Sequence, residues 1–214
     1  MAVENFIDTP AAPNLPIAPM VYERQFQEAF NNVLRLYFNR LDNALRTAFG
    51  EEGGQYINNP NGAFQNNGNV TLAAINTPTL VPFTVTDFAT GMYSVPGDGV
   101  HVEQSGLYNY QFSIQFQNTD TQIHDAFVWL RLNGVDLPWT GSAFSITSSH
   151  GGVPGYVIGA ANFYVQMAAG DYVEMWWAAN DLAVTMHSLA PTTTPYIRPG
   201  SPSVVSTLTF VSSY

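Results

Sequence analysis

The chain contains no cysteine, so a disulfide framework, a zinc–thiolate site and a cysteine nucleophile are all excluded, and the redox compartment is left open. It also contains no lysine: its six basic residues are Arg24, Arg35, Arg40, Arg46, Arg131 and Arg198. Charged residues make up 10% of the 214, against about 25% in an average soluble protein. The surface must therefore be covered by Asn, Gln, Ser, Thr and Gly, or be consumed by interfaces. The net charge is −10 and unevenly spread: from Glu51 onward, 11 acids face only Arg131 and Arg198. Such a region repels phosphate backbones, whose binding needs clustered Lys or Arg, and nucleic acid is not expected as a partner. Long hydrophobic runs are missing too. No stretch approaches the ~18 apolar residues of a membrane span, so membrane insertion is not expected. The opening MAVENFIDTPAAP lacks the basic start and apolar core of a secretion signal. What is present is an ordinary hydrophobic share of 46%, enough to build a core.

The most informative stretch is 21–49, VYERQFQEAFNNVLRLYFNRLDNALRTAF, which reads as one long helix. Its apolar residues Phe26, Phe30, Val33, Tyr37, Leu41, Ala44 and Ala48 recur at steps of 4, 3, 4, 4, 3 and 4, the spacing of a continuous helical stripe. The 11-residue repeat within it, Phe26 to Tyr37 to Ala48, averages about 3.67 residues per turn and keeps the stripe nearly straight. A second stripe, Leu34, Phe38, Leu45 and Phe49, runs beside the first. Two adjoining stripes need more than one neighbour to cover them, and no second helix of this kind occurs in the sequence. Either the helix folds back on the rest of its own chain or copies from other chains pack with it, and the second is the preferred reading. Glu23, Glu28 and Asp42 interleave with the four arginines of this segment, so pairing along or between helices accounts for those charges.

Before the helix, Pro10, Pro13, Pro16 and Pro19 are spaced three apart. That is the polyproline II repeat, and it places them on one edge of an extended arm over 1–20. Phe6, Ile7, Leu15 and Ile17 give the arm enough apolar surface to act as an anchoring strap. After the helix, Gly50 is suited to a C′ position, and the Gly/Asn-rich 50–69 reads as a hinge or long loop. From Val70 the period changes to two. Strands are expected at 70–75, 79–86, 99–104, 107–117, 125–133, 142–149, 156–168, 171–178, 182–189 and 204–213. Turn signals separate them, among them Pro96-Gly97-Asp98-Gly99, Asn133-Gly134 and Gly170-Asp171. Ten short strands so punctuated predict a mainly β sandwich or jelly roll over 70–214. The adjacent Trp176 and Trp177 must face opposite sides of their strand, one in the core and the other on the outer face or at a subunit contact.

Chemistry is thinly signalled. His101, His124, His150 and His187 show neither HxH nor HExxH spacing. A threefold axis would turn one such residue into three ligands, with His124-Asp125 and Asp98 placed in loops suited to that. Ser142, Ser145, Ser148 and Ser149 precede His150 without a G-x-S-x-G elbow, and no phosphate-binding glycine loop is present. Asp120, Asp125, Asp136 and Asp181 lie beside turn signals, where Asp bonds local backbone; spacing alone does not exclude a glycosidase pair among them. No catalytic residue, cofactor site or metal ligand is assigned. Tyr93, Trp139, Tyr156 and Tyr196 fall in or near loops. Exposed aromatics among Asn and Gln suit sugar rings; the same residues also suit a subunit interface or the base of a loop.

The strand region resembles a known family. Residues 106–113, GLYNYQFS, resemble the G-x-Y-x-F-x-S strand of the tumour necrosis factor and complement-head jelly-roll superfamily. Residues 163–175, FYVQMAAGDYVEM, look like its L-x-x-GD-x-V-x-L hairpin. Many bacteriophage virion proteins share this pattern, including an NG strand end (LNGVDLP, 132–138) and a late Pro-Ser (Pro202-Ser203) before the last strand. The opening ENFIDTPAAPNLPIAP with its aromatic-rich helix is similar to the N-termini of structural proteins of marine phages. The resemblance implies a homotrimer of jelly rolls around a threefold axis, in a virion assembled in the host cytoplasm. The expected function is a non-enzymatic capsid decoration or head-fibre protein. Its arm and helix would hold other virion proteins of capsid or tail, and Phe26, Phe30, Val33, Tyr37, Leu41 and Ala44 would make the trimer contacts. Two alternatives are a tail fibre, receptor-binding or tail adaptor protein whose loop aromatics hold a host-surface glycan or receptor, and a virion-associated glycan hydrolase.

Overall fold

The computed structural model describes residues 11–49 and 59–213. The chain divides into two compact units, Met1–Asn58 and Asn59–Tyr214, which are taken in turn.

In the first unit a single helix, α1, spans Arg24–Phe49. It begins three residues later than the apolar periodicity predicts. Its first turn is closed by Gln27 N–H donating to the Glu23 carbonyl, and no Ser, Thr, Asp or Asn stands at 21–23 to cap an earlier start. Exposed i,i+4 pairs, Arg24–Glu28 at 2.8 Å and Arg46–Asp42 at 3.1 Å, line its polar side. Arg46, in the last turn, complements the negative end of the helix dipole. Phe26 and Phe30 stack at 6.2 Å along the stripe.

The second unit is mainly β: two antiparallel sheets pack face to face around one core. The strands are β1 (Asn61–Asn66), β2 (Thr79–Leu80), β3 (Val85–Thr90), β4 (Met92–Val95), β5 (Gly99–Val102), β6 (Gly106–Asn118), β7 (His124–Leu132), β8 (Val135–Asp136), β9 (Ser142–Ile146), β10 (Gly155–Met167), β11 (Tyr172–Ala179), β12 (Val184–Met186) and β13 (Val204–Ser212). The first sheet runs β10-β6-β13-β1-β3, with β12 also pairing to β6. The second runs β4-β5-β11-β7, with β8 and β9 both on β7 and β2 on β11. Alternation fixes which side chains meet between the sheets. On β6, Tyr108, Tyr110, Phe112, Ile114 and Phe116 are buried, while Gln111 and Ser113 between them are exposed. Trp177 is fully buried against Phe116, and Trp176 points to the outer face. Tyr108 satisfies its hydroxyl by donating to the Gln104 carbonyl at 2.6 Å.

Three departures from the sequence-based strands have local causes. Residues 61–66, read as part of a loop, form β1 in the interior of the first sheet between β13 and β3, with Phe64 wholly buried. Its Asn and Gly content hides a strand: Gly62 is there because a Cβ would meet the Phe64 ring at 2.8 Å and the Met92 Sδ at 2.9 Å, and Asn66 turns the chain by accepting from Gly68 N–H. Residues 71–75 are not a strand; Val70 alone bridges to Met186. The expected strand 79–86 is divided into β2, on the second sheet, and the start of β3, on the first.

Candidate functional site

Two surfaces carry apolar side chains that the chain leaves partly uncovered. The first is α1. Phe26, Phe30, Val33, Tyr37, Leu41, Ala44 and Ala48 are all half-buried, and no residue of α1 with a described side chain is fully buried. Along the second stripe Phe38 and Leu45 are exposed, as is Leu36 beside it. In the same unit Ala11 and Pro13 of the arm line, with Val33, Leu36, Tyr37 and Arg40, a cavity of about 210 Å³, so this part of the arm lies beside the middle of the helix. Leu15 and Ile17 do not join it and are 48% and 95% exposed. Phe6 and Ile7, and the hinge over 50–58, lie outside the described residues.

The second surface is the outer face of the first sheet. Strands β1, β6, β10, β12 and β13 contain no charged residue; Asp87 of β3 is the only one in that sheet. β10, 13 residues long, forms the sheet's edge and exposes Tyr156, Ile158 and Tyr164 on one face. A long apolar edge without charge is an aggregation hazard unless something covers it.

The four aromatics proposed from the sequence do not form one site. Tyr93 and Tyr156 stand at the starts of strands β4 and β10, next to the preceding connections, and these strands belong to different sheets. Tyr93 stacks on His101 at 5.1 Å, and His101 stacks on Tyr172 at 5.0 Å while its Nε2 lies 3.0 Å from Asp98 Oδ2. Tyr156 accepts from Gln117 Nε2. Tyr196 is 65% exposed in the loop after the isolated bridge at Thr192. Trp139 is different: it is 97% exposed, with φ at +66°. A bulky residue in the left-handed region is strained and needs its surroundings to hold it there. Thr140 supplies the hold: its buried Oγ1 donates to the Leu137 carbonyl at 2.8 Å and accepts from Leu130 N–H at 3.1 Å.

Sequence reasoning left out a network on the outer face of the second sheet. Arg131 lies 4.0 Å over the Trp176 ring and donates from Nε to Asp136 Oδ1, which also accepts from Trp129 Nε1 at 2.8 Å. The Arg131 hydrogen bond, then that of Trp129, holds the Asp136 carboxyl below its usual range. On the same face, burial followed by the charges of Asp98 and Glu174 raises the Tyr172 phenol. Glu174 itself is buried, and its Oε2 has no hydrogen-bond partner. The period-two pattern carried this signal, because Trp129, Arg131, Trp176 and Glu174 all occupy outward positions on paired strands. Among the described residues, no helix is long and apolar enough to cross a membrane. No family model and no curated protein matches the chain.

Proposed function

We propose that this chain is a non-enzymatic structural protein of a bacteriophage particle: a homotrimer that decorates the capsid or forms a head fibre, anchored by its arm and helix with the β unit outward. The observation that carries the assembly part is α1, a 26-residue helix whose whole apolar stripe stays half-exposed in one chain. Covering about 50 Å² more of each of Phe26, Phe30, Tyr37 and Leu41 contributes about 5 kcal/mol per chain at ~25 cal/mol per Å². The charge-free first sheet with its apolar edge offers further contact area of the kind obligate interfaces use. The strand order supports a jelly roll: β1 lies beside the last strand, β13, which lies beside β6, with β10 at the edge, while β5, β11 and β7 run side by side opposite them. That arrangement is consistent with the resemblance carried by 106–113 and 163–175, and the virion assignment rests on the resemblance. Locating the protein in intact particles by cryo-EM tests it. Density at capsid threefolds or capsomer centres is expected; density confined to the tail vertex would replace decoration with a fibre or adaptor role.

A second reading, binding of a host-surface glycan, is favoured by Trp139. Strain spent on displaying an indole to solvent suits a stacking platform. Binding of the full chain to host-envelope glycans that is lost in Trp139→Ala would support it.

A further inference from the structure

Two loops of the β unit converge on a single imidazole. The β6–β7 loop carries Asp120, His124 opens β7, and the β11–β12 loop carries Asp181. His124 Nε2 lies 2.8 Å from Asp120 Oδ2 and 3.8 Å from Asp181 Oδ2. One ligand atom from each of the three residues lies within 4.8 Å of the others. The His124 side chain is 14% exposed, and those of the two aspartates 39% and 41%. Each carboxylate is already oriented by its other oxygen: Asp120 Oδ1 accepts from Thr121 N–H at 2.6 Å and Asp181 Oδ1 from Ala183 N–H at 2.8 Å. The loops are laced together on both sides. Thr119 N–H donates to the Ala183 carbonyl at 3.2 Å, Asn180 N–H to the Asp125 carbonyl at 3.1 Å, and Asp125 N–H to Asn180 Oδ1 at 3.0 Å. The three groups are therefore held in place by backbone contacts from three separate segments, and a ligand would need little rearrangement to bind.

The cluster does not satisfy itself. His124 Nε2 is within hydrogen-bond distance of Asp120 Oδ2; Asp181 Oδ2, at 3.8 Å, is beyond hydrogen-bond reach of the same nitrogen. Two carboxylates then share one imidazole in a region where, from Glu51 onward, 11 acids face two arginines. A dication cancels that charge. The spacing is close to that of one as well: donors about 2.0–2.2 Å from a central ion, at octahedral or tetrahedral angles, stand about 2.8–3.6 Å apart; the observed 2.8 Å falls at the lower end of this range and 3.8 Å just above its upper end. An imidazole with two carboxylates is a mixed nitrogen–oxygen donor set, preferred by first-row metals over calcium or magnesium, which favour all-oxygen shells.

We propose that Asp120, His124 and Asp181 form a binding site for a divalent first-row metal ion of the zinc or manganese class. The ion clasps the β6–β7 loop to the β11–β12 loop, and solvent completes its coordination. The site lies within one chain and does not depend on the trimer.

The test uses the full chain after chelation and dialysis, titrated with zinc chloride, manganese chloride and calcium chloride by calorimetry. Amide hydrogen exchange is followed in parallel. One equivalent of zinc or manganese is expected to bind, more tightly than calcium, with slowed exchange in 119–124 and 180–183. Asp181→Asn keeps the oxygen that accepts from Ala183 while removing the charge, and is expected to weaken binding about tenfold or more. No binding at about 1 mM zinc or manganese overturns the proposal, as does affinity unchanged in Asp181→Asn. If that variant does not fold, the exchange data on the parent chain decide: protection at any other histidine instead of these loops overturns it.

Discussion

Asp136 shows how one exposed carboxylate ties together residues that sequence spacing keeps apart. It accepts from Arg131 and from Trp129, while Arg131 covers Trp176. Because its folded-state carboxyl is held below the usual range, the contribution to stability is present at neutral pH and lost as the pH falls through the carboxylate range. Asp136→Asn should therefore lower the thermal midpoint at pH 7 by about 1–3 °C, and the difference from the parent should shrink as the pH falls below the usual carboxylate range; a difference that stays constant through that range would mean that packing, not charge, is responsible. Gly155 gives a sharper case. A Cβ there would overlap the backbone carbonyl of Thr147, so the chain itself would have to shift. Gly155→Ala is expected to cost about 3 kcal/mol, read as a fall in the urea midpoint without a change in slope. At this scale much was legible. The pairing of Gly170 with Asp171 predicts a turn held by side-chain hydrogen bonds, and Gly170 has φ +90° while Asp171 Oδ2 accepts from Ala168 N–H. That Asp171 Oδ1 also accepts from Asn133, which ties the two turn motifs together, is a long-range fact that no local pattern contains.

Among the elements, α1 was the most legible, because its stripe repeats over seven positions and periodicity over that length leaves little ambiguity. β1 was hidden for the opposite reason: six residues with two Asn and one Gly read as a turn, and only the sheet on either side makes them a strand. β4 and β8 were missed because two to four residues carry too little alternation to count. The helix also makes the most direct prediction. Val33 and Leu41 lie on the stripe and are only half-buried, so Val33→Asp together with Leu41→Asp places two carboxylates in any helix–helix seam, each costing several kcal/mol if buried unpaired. Sedimentation equilibrium should show trimers in the parent and monomers in the double variant, with the β-type circular dichroism retained. A trimer that survives would move the association onto the uncharged face of the first sheet, where Tyr156→Asp with Ile158→Asp becomes the decisive pair.

For the whole molecule, the division at residues 58 and 59 separates two kinds of stability. The β unit has its own core, with Trp177, Tyr108, Tyr110, Phe64 and Phe116 fully buried between the sheets, and needs no partner to remove those side chains from water. Among the described residues of the helix unit there is no such core, since every described α1 side chain keeps some exposure. The sequence signalled this contrast through the change of period near Val70, although the boundary lies earlier because β1 precedes it. The candidate contact surfaces were legible to differing degrees: the helix stripe almost completely, the uncharged sheet face only through the scarcity of charge, and the convergence of Asp120, His124 and Asp181 not at all, since Asp181 lies 57 residues beyond His124 in the chain. If assembly resides in the first unit, then residues 59–214 alone should unfold in one cooperative transition whose midpoint is independent of protein concentration, because no association contributes to it. The full chain should instead show a midpoint that rises with concentration, as mass action requires when the folded state is also the associated one. Scanning calorimetry of both forms over about a hundredfold range of concentration distinguishes the cases. A concentration-dependent midpoint in residues 59–214 would place the main interface on the β unit, with the uncharged sheet and the exposed face of β10 as the surface to mutate next.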